Sequence, residues 1–436
     1  MPDRISRRQF LGNSGAAAAA LAFGPRLLYG SPNGKLNLAV VGTSGMGGQD
    51  LHHLSDHPRL NVAALCDVDV NNLGQAAKNH PNAKTYRDWR KMLDEMSRDI
   101  DAVSVGIPDH MHAPVAMSAI LRGKHVYCQK PLTHDLYEAR KLTEAARRKK
   151  VATQMGIQIH SAKEYRTAVR ILQDGAIGKV KEVHSWAGRV WSYKGDRPAG
   201  SDPVPAHLDW DLWIGTAPER PFKNEIYHPQ NWRNWTDFGC GTHGDMACHI
   251  FDPVFTALGL GLPLSATSES GPPPKETFCM GNRVVYRFAG TKHTAKELKL
   301  TWTDGETKPD ATGWPVQKLP DTGSMFIGEK GWMLLPHIAA PQLFPEEQYK
   351  EYKAPEVDGV NHWHLWVEAA LGNGTPEANF DFSGPLAETA ILGVAANRVA
   401  GKAITWNPKT LKIEGAPGLN AYVRRTYRKG WEVEGL

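Results

Sequence analysis

One lysine stands where open α/β sheets bind their ligands. Tyr127-Cys128-Gln129-Lys130-Pro131 follows an apolar, strand-like run and precedes the helix-like stretch 132–150. Lys130 is therefore expected at the carboxyl end of a strand, with a rigid proline after it. A lysine so placed can take or give a proton. The second chemical candidate is Gly239-Cys240-Gly241-Thr242-His243-Gly244-Asp245-Met246-Ala247-Cys248-His249-Ile250-Phe251-Asp252. Asp245 and His249 are i and i+4, which puts them on one face of a helix. A carboxylate and an imidazole so paired can orient a hydroxyl and move its proton, with Asp252 holding the histidine ring. The bland counterpart is a helix start in which Asp245 meets the dipole and His249 is buried. His243, Asp245 and His249 lack an established ligand spacing, so no metal is expected.

Tryptophan is dense ahead of this segment, at 186, 191, 210, 213, 232 and 235. Trp232-Arg233-Asn234-Trp235 stands just before the glycines. Aromatic faces with Arg and Asn nearby suit a polyhydroxylated ring, whose C–H face stacks while its hydroxyls hydrogen-bond. Packing accounts for most of these tryptophans, and one or two are expected to face a substrate. Trp232, Arg233, His243 and His160 are the candidates for that wall, beside Asp245 and His249.

The elements that position these residues alternate. Residues 35–41 (Lys-Leu-Asn-Leu-Ala-Val-Val) read as a buried strand entering Gly42-Thr43-Ser44-Gly45-Met46-Gly47 and then a helix. Glycine permits the tight turn and the close approach of a pyrophosphate, and the helix N-terminus offers free amides. Ser44 departs from the G-x-G-x-x-G spacing. A second strand, 61–66, ends in Asp67. A carboxylate there accepts hydrogen bonds from adenosine ribose hydroxyls and repels a 2′-phosphate, which favours NAD over NADP. The bland alternative makes Asp67 the cap of a helix starting near Val70. Helix 88–97, strand 102–107, helix 113–122, strand 125–128, helix 133–150 and strand 151–155 follow. This βαβ alternation predicts a Rossmann-type, parallel doubly wound α/β domain over residues 35–155. Pro108-Asp109-His110-Met111-His112 joins a strand to a helix beside the cofactor turn. His112 either contacts the nucleotide or hydrogen-bonds at the helix start.

From Gly156 the pattern changes. A helix over 164–174 precedes strand-like pieces at 180–190, 262–268, 276–288, 295–303 and 323–334, with late helices at 361–371 and 384–400. Helix first and strands later predict an α+β domain over 156–436 with a large open, mainly antiparallel sheet.

The N-terminus reads as a targeting segment. Ser6-Arg7-Arg8-Gln9-Phe10-Leu11 is a twin-arginine pattern followed by a short apolar stretch, with Ala20-Leu21-Ala22 as a cleavage candidate. Residues 1–30 are thus expected to direct folded export to a periplasm. They hold four arginines and one aspartate of the chain's 51 basic and 46 acidic residues, so without them the excess falls to about +2. The basic pI then says nothing for nucleic acid. Five cysteines without Cys-x-x-Cys spacing are expected as mostly free thiols.

Taken together, Gly42–Gly47, Asp67, Pro108–His112, Gln129-Lys130-Pro131, Gly178-Lys179-Val180, Asp245-x-x-x-His249 and the ending with Asn397–Gly401, Trp406-Asn407-Pro408 and Tyr427-Arg428-Lys429-Gly430-Trp431 resemble the glucose–fructose oxidoreductase / inositol dehydrogenase (Gfo/Idh/MocA) family. The resemblance covers nearly all of the chain after the targeting segment. It implies a catalytic set of Lys130, Asp245 and His249, and a sheet domain that forms homo-oligomers. It implies cofactor contacts from Gly42, Thr43, Ser44, Gly45, Met46, Gly47, Asp67, Pro108, His110, His112, Gln129, Lys130 and Gln158. The family's Glu-Lys-Pro reads Gln129-Lys130-Pro131 here, which removes a carboxylate beside the lysine. Its Asn-x-Arg reads Gln158-Ile159-His160. The resemblance implies hydride transfer between a secondary alcohol of a sugar, sugar derivative or cyclitol and a tightly held NAD. Relatives that cleave glycosides by transient oxidation supply a second reading. A non-catalytic sugar-binding protein is the third.

Overall fold

The computed structural model describes residues 34–436; the twin-arginine segment lies outside the described residues. The first half is β1 (Leu36–Val41), α1 (Gly45–Ser55), β2 (Leu60–Cys66), α2 (Val70–Asn79), β3 (Lys84–Tyr86), α3 (Trp89–Glu95), β4 (Ala102–Val105), α4 (His112–Leu121), β5 (His125–Gln129), α5 (Leu136–Lys149) and β6 (Thr153–Gly156). The six strands form one parallel sheet in the order β3-β2-β1-β4-β5-β6. β1, β4 and β5 are buried almost throughout, as strands covered on both faces must be. The order reverses between β1 and β4, which opens the ligand crevice at their carboxyl ends.

The second half contributes α6 (Lys163–Gln173), β7 (Val180–Ala187), α7 (Trp210–Ile214), α8 (Gly241–Leu258), β8 (Ser265–Ser268), β9 (Gly281–Ala289), β10 (Thr294–Gly305), β11 (Thr322–Gly328), β12 (Trp332–Pro336), β13 (Gln342–Phe344), α9 (Glu346–Tyr349), α10 (His362–Ala370), α11 (Phe380–Ala396), β14 (Ala403–Asn407) and β15 (Lys412–Glu414). Nine strands make a sheet ordered β13-β12-β11-β7-β10-β9-β8-β14-β15. Only β7 and β10 pair in parallel. The stretch 323–334, expected as one strand, is two antiparallel strands, β11 and β12. The intervening Gly328–Gly331 turn reverses the chain, so an apolar run alone overstates strand length.

The halves are tied together by returning segments. Trp366, Val367 and Ala370 of α10 pack into the core formed by β1, β2 and α1. Arg140 of α5 pairs with buried Glu388 of α11 at 2.6 Å. The tail comes back to α5, where Arg425 Nη2 lies 2.7 Å from Glu138 Oε1 and the Tyr427 hydroxyl donates to the same oxygen at 2.7 Å. Glu138 also completes the capping box of α5 with Asp135. All five cysteines are free thiols, four of them buried.

Candidate active site

Gly42 adopts φ +91°, and a Cβ there would lie 2.2 Å from the Gly106 carbonyl oxygen. A Cβ on Gly47 would lie 2.4 Å from the Gly42 carbonyl oxygen. Glycine at both positions lets α1 start directly against β1 and β4. Ser44 is the N-cap of α1, yet its side chain makes no cap hydrogen bond, and the first turn carries no acid. Ser44, Gly45 and Met46 are exposed. The first amides of α1 are thus left for an anion, and the turn fits a dinucleotide pyrophosphate despite Ser44.

Asp67 is not the helix cap. Asp69 fills that role, accepting from the Asn71 amide at 2.8 Å. Asp67 instead accepts from the Thr43 amide and hydroxyl, each at 2.9 Å, and from the Asp69 amide at 3.0 Å. It links the phosphate turn to the end of β2, at the ribose position.

Lys130 extends from the end of β5, through a cis Lys130–Pro131 bond, to the start of α8. Its Nζ lies 2.8 Å from Asp245 Oδ1 and 3.3 Å from the Asp245 carbonyl oxygen. Arg233 Nε donates to the same carboxylate oxygen at 3.2 Å. Burial alone would raise the Asp245 carboxyl, but Lys130 and Arg233 reverse this and hold it down at about 2. Asp245 is therefore a fixed anion between two cations. The Arg233 guanidinium lies 4.1 Å from the Trp232 ring centroid and 5.4 Å from that of Trp191. His249 sits one turn along α8. Burial and the nearby Lys130 charge push it well below the usual imidazole range, so it is neutral near pH 7. Its buried Nδ1 finds no partner among the described residues.

The absence of the family's glutamate does not leave Lys130 without a negative neighbour, because Asp245 supplies one. The Gln129 amide is engaged elsewhere. Its Nε2 donates to both oxygens of Asp50, at 2.8 and 3.1 Å, and Trp363 Nε1 donates to Asp50 at 2.9 Å. Asp50 is fully buried in α1, and burial pushes its carboxyl up to about 7 against those donors.

Other expected site residues turn away from this cluster. His110 is wholly buried, with Nε2 at 3.0 Å from the Ile214 carbonyl and its ring against Trp213 and Phe238. His112 bridges two carbonyls, Pro131 at 2.7 Å through Nδ1 and Ile107 at 2.7 Å through Nε2. It braces the Lys130 turn against the β4 loop, the hydrogen-bonding alternative of the two. His160 is held between Asp252 at 2.7 Å and Glu377 at 3.4 Å, so Asp252 secures His160 and not His249. His243 points into the second domain's core, 2.9 Å from the Tyr286 hydroxyl and stacked on Trp302. Trp232 is buried with Trp210, Trp213 and Trp235 in one aromatic cluster, so the tryptophans are mostly packing. Gln158 follows β6, and its buried Oε1 finds no partner among the described residues. Pro108 is half-buried beside Asp109.

Two residues near the cluster were not singled out from the sequence. His337, just past β12, lies with its ring centroid 5.8 Å from that of His249, and its Nδ1 meets the Tyr165 hydroxyl at 2.8 Å. Burial and Lys130 push it down to about 4. Asp109 is 1% exposed with Oδ2 unpartnered among the described residues. Burial and the adjacent Asp245 push its carboxyl up to about 7, against Arg233 and Lys130. Asp109 stood inside a quoted motif; His337 had no motif around it.

Residues 36–157 match the Gfo/Idh/MocA oxidoreductase family's NAD-binding Rossmann fold, and residues 164–292 match the same family's C-terminal alpha/beta domain. The chain belongs to this family, and its cofactor is NAD. Levoglucosan dehydrogenase from Pseudarthrobacter phenanthrenivorans is 25% identical over 42% of this chain and 39% of its own length. A glycosyl hydrolase family 109 protein from Stenotrophomonas maltophilia is 25% identical over 84% of this chain and 82% of its own length. For the first of these, and for two uncharacterized oxidoreductases matched over 54% and 42% of their lengths, the chain spans about half of the relative or less. The WlbA dehydrogenase from Bordetella pertussis, solved with NADH and UDP-GlcNAcA, superposes with a TM-score of 0.62 at 15% identity, over 86% of this chain and 99% of that one. At that identity the likeness is one of fold.

Proposed function

We propose that this protein moves a hydride between a secondary alcohol of a sugar, sugar derivative or cyclitol and a tightly held NAD. The Lys130–Asp245 pair carries the reading, because it joins the end of β5, at the crevice of the cofactor domain, to the second domain. Bound NAD would supply the acceptor or donor for the hydride. Lys130 hydrogen-bonds the reacting oxygen and moves its proton. Asp245, fixed as an anion, holds the lysine in line. Arg233 and neutral His249 hydrogen-bond neighbouring hydroxyls, with Trp191 as the face for the ring. An exported enzyme would carry its NAD from inside, since twin-arginine export moves folded proteins; a homo-oligomer through the large sheet fits the same picture. The test is Lys130→Met. With NAD still bound, hydride transfer should fall by about a thousandfold; turnover near wild type would overturn the assignment.

A second reading is glycoside cleavage by transient oxidation, elimination and return of the hydride. Two observations favour it: the long match to a family 109 glycosyl hydrolase, and His337 with Tyr165 as a further acid–base unit beside His249. Glycoside cleavage without net NADH would select it.

A further inference from the structure

Between β7 and α8 the chain makes a long excursion, residues 188–240, which builds its own aromatic core around Trp210, Trp213, Tyr227, Trp235 and Phe238. This core is pinned to the loop between β2 and α2. The Val70 amide donates to the His207 carbonyl at 2.9 Å, and the Asp209 amide donates to the Val68 carbonyl at 3.0 Å. Asp69 and Leu208 form an antiparallel bridge, and Val68 packs against the aromatic core. Side chains reinforce the join: His207 Nε2 and His228 Nε2 lie 3.6 and 3.7 Å from Asp69 Oδ2, and Arg87 Nη2 lies 3.8 Å from Asp209 Oδ2.

The pinned loop begins at Asp67, the ribose acid. In dinucleotide folds an acid at this position hydrogen-bonds the adenosine ribose, which brings the ribose to the start of this loop. We propose that the excursion is an adenosine clamp: His207, Leu208 and His228, with Val68 and Asp69, close over the ribose end of bound NAD and slow its exchange in both directions. The proposal rests on the NAD reading above and adds the reason for retention. Release through this end would require breaking the two backbone hydrogen bonds that make the Asp69–Leu208 bridge. Asp69 is held on both sides, by the α2 amides and by the two imidazoles, so the loop cannot swing while the clamp is intact. His228 is half-buried, touches the Trp213 edge at 6.2 Å and feels the charge of both Asp69 and Asp67. It is the clamp histidine that feels both acids of the loop.

The experiment measures exchange, not turnover. The full chain is loaded with NADH, and energy transfer from its tryptophans is followed after a chase with excess NAD. The clamp predicts slow decay in the wild type and decay at least about tenfold faster in His207→Ala/His228→Ala, because affinity changes of this kind fall mainly on the off-rate. The melting temperature of the nucleotide-free protein should stay within about 2 °C, since both imidazoles are partly exposed. His228→Asn keeps a polar group at the site and should fall between the two. Equal decay in wild type and double variant, with NADH bound in both, overturns the clamp and leaves the NAD assignment standing. Failure of the wild type to bind NADH or NAD at all overturns both.

Discussion

Asp245 and Asp252 stand seven residues apart on α8, each beside a histidine, and the two surroundings are opposite in charge. Asp245 faces Lys130 and Arg233, so it is held down at about 2 and has no proton to offer. Its neighbour His249 makes no ion pair with a carboxylate among the described residues and is driven neutral by burial and Lys130. Asp252 is sealed against His160. Burial pushes that imidazole down, but Asp252 and Glu377 more than reverse this and raise it to about 10. One histidine is left neutral with an unpaired nitrogen, fit to meet a hydroxyl; the other is a cation near neutral pH, held between two carboxylates. The same residue types thus serve chemistry where a partner is withheld and architecture where it is supplied.

Substitutions on the two sides of α8 can break this contrast. The largest effect is expected from Asp245→Asn, which leaves two unpaired cations. The rate of NAD reduction by whichever sugar proves active should drop about a thousandfold, or about 4 kcal/mol of barrier. A loss below about tenfold would remove Asp245 from the mechanism. Asp252→Asn should instead cost about 3 kcal/mol of folding stability in urea, because it strips a buried charge of its partner, with hydride transfer in the folded protein within about threefold. His249→Ala should lower the rate about a hundredfold, near 2.7 kcal/mol, with little change in NAD binding. His160→Ala in the same assay should spare the chemical step, and a matching loss there would erase the distinction.

The smallest effect is a pH slope. His160 is charged in the folded chain well above its unfolded range, so its contribution is complete below pH about 6.5 and is lost as pH rises toward about 10. Stability should decline over that interval, and His160→Asn should flatten the decline. No slope in urea midpoints between pH 6.5 and 10 would contradict the charged state.

The chain shows which kinds of inference its sequence supports. The parallel sheet was legible because β1, β4 and β5 are apolar runs bounded by turns. The phosphate turn was legible because glycines mark a backbone crossing that tolerates no Cβ. Lys130, Asp245 and His249 were legible through a strand end and a helix spacing. Histidine roles were not: His110, His112, His160 and His243 look like site residues in one dimension, but each is claimed by a carbonyl, a carboxylate or a ring from a distant segment. Gln129 misled for the same reason. Its change from glutamate removes a carboxylate beside Lys130 along the chain, while in the fold the amide is taken by Asp50, in another element.

By itself, then, the sequence determined the alternation that builds the cofactor domain, the turn that admits a pyrophosphate, and a lysine at a strand's end. Those depend on local backbone geometry and on hydrophobic period, which neighbouring residues fix. Tertiary structure alone decided that Arg233 would share the Asp245 carboxylate with Lys130, that His337 would lie beside His249, and that residues 207–209 would pair with the loop after β2. Such pairings are set by which surfaces bury together, and no spacing along the chain encodes them.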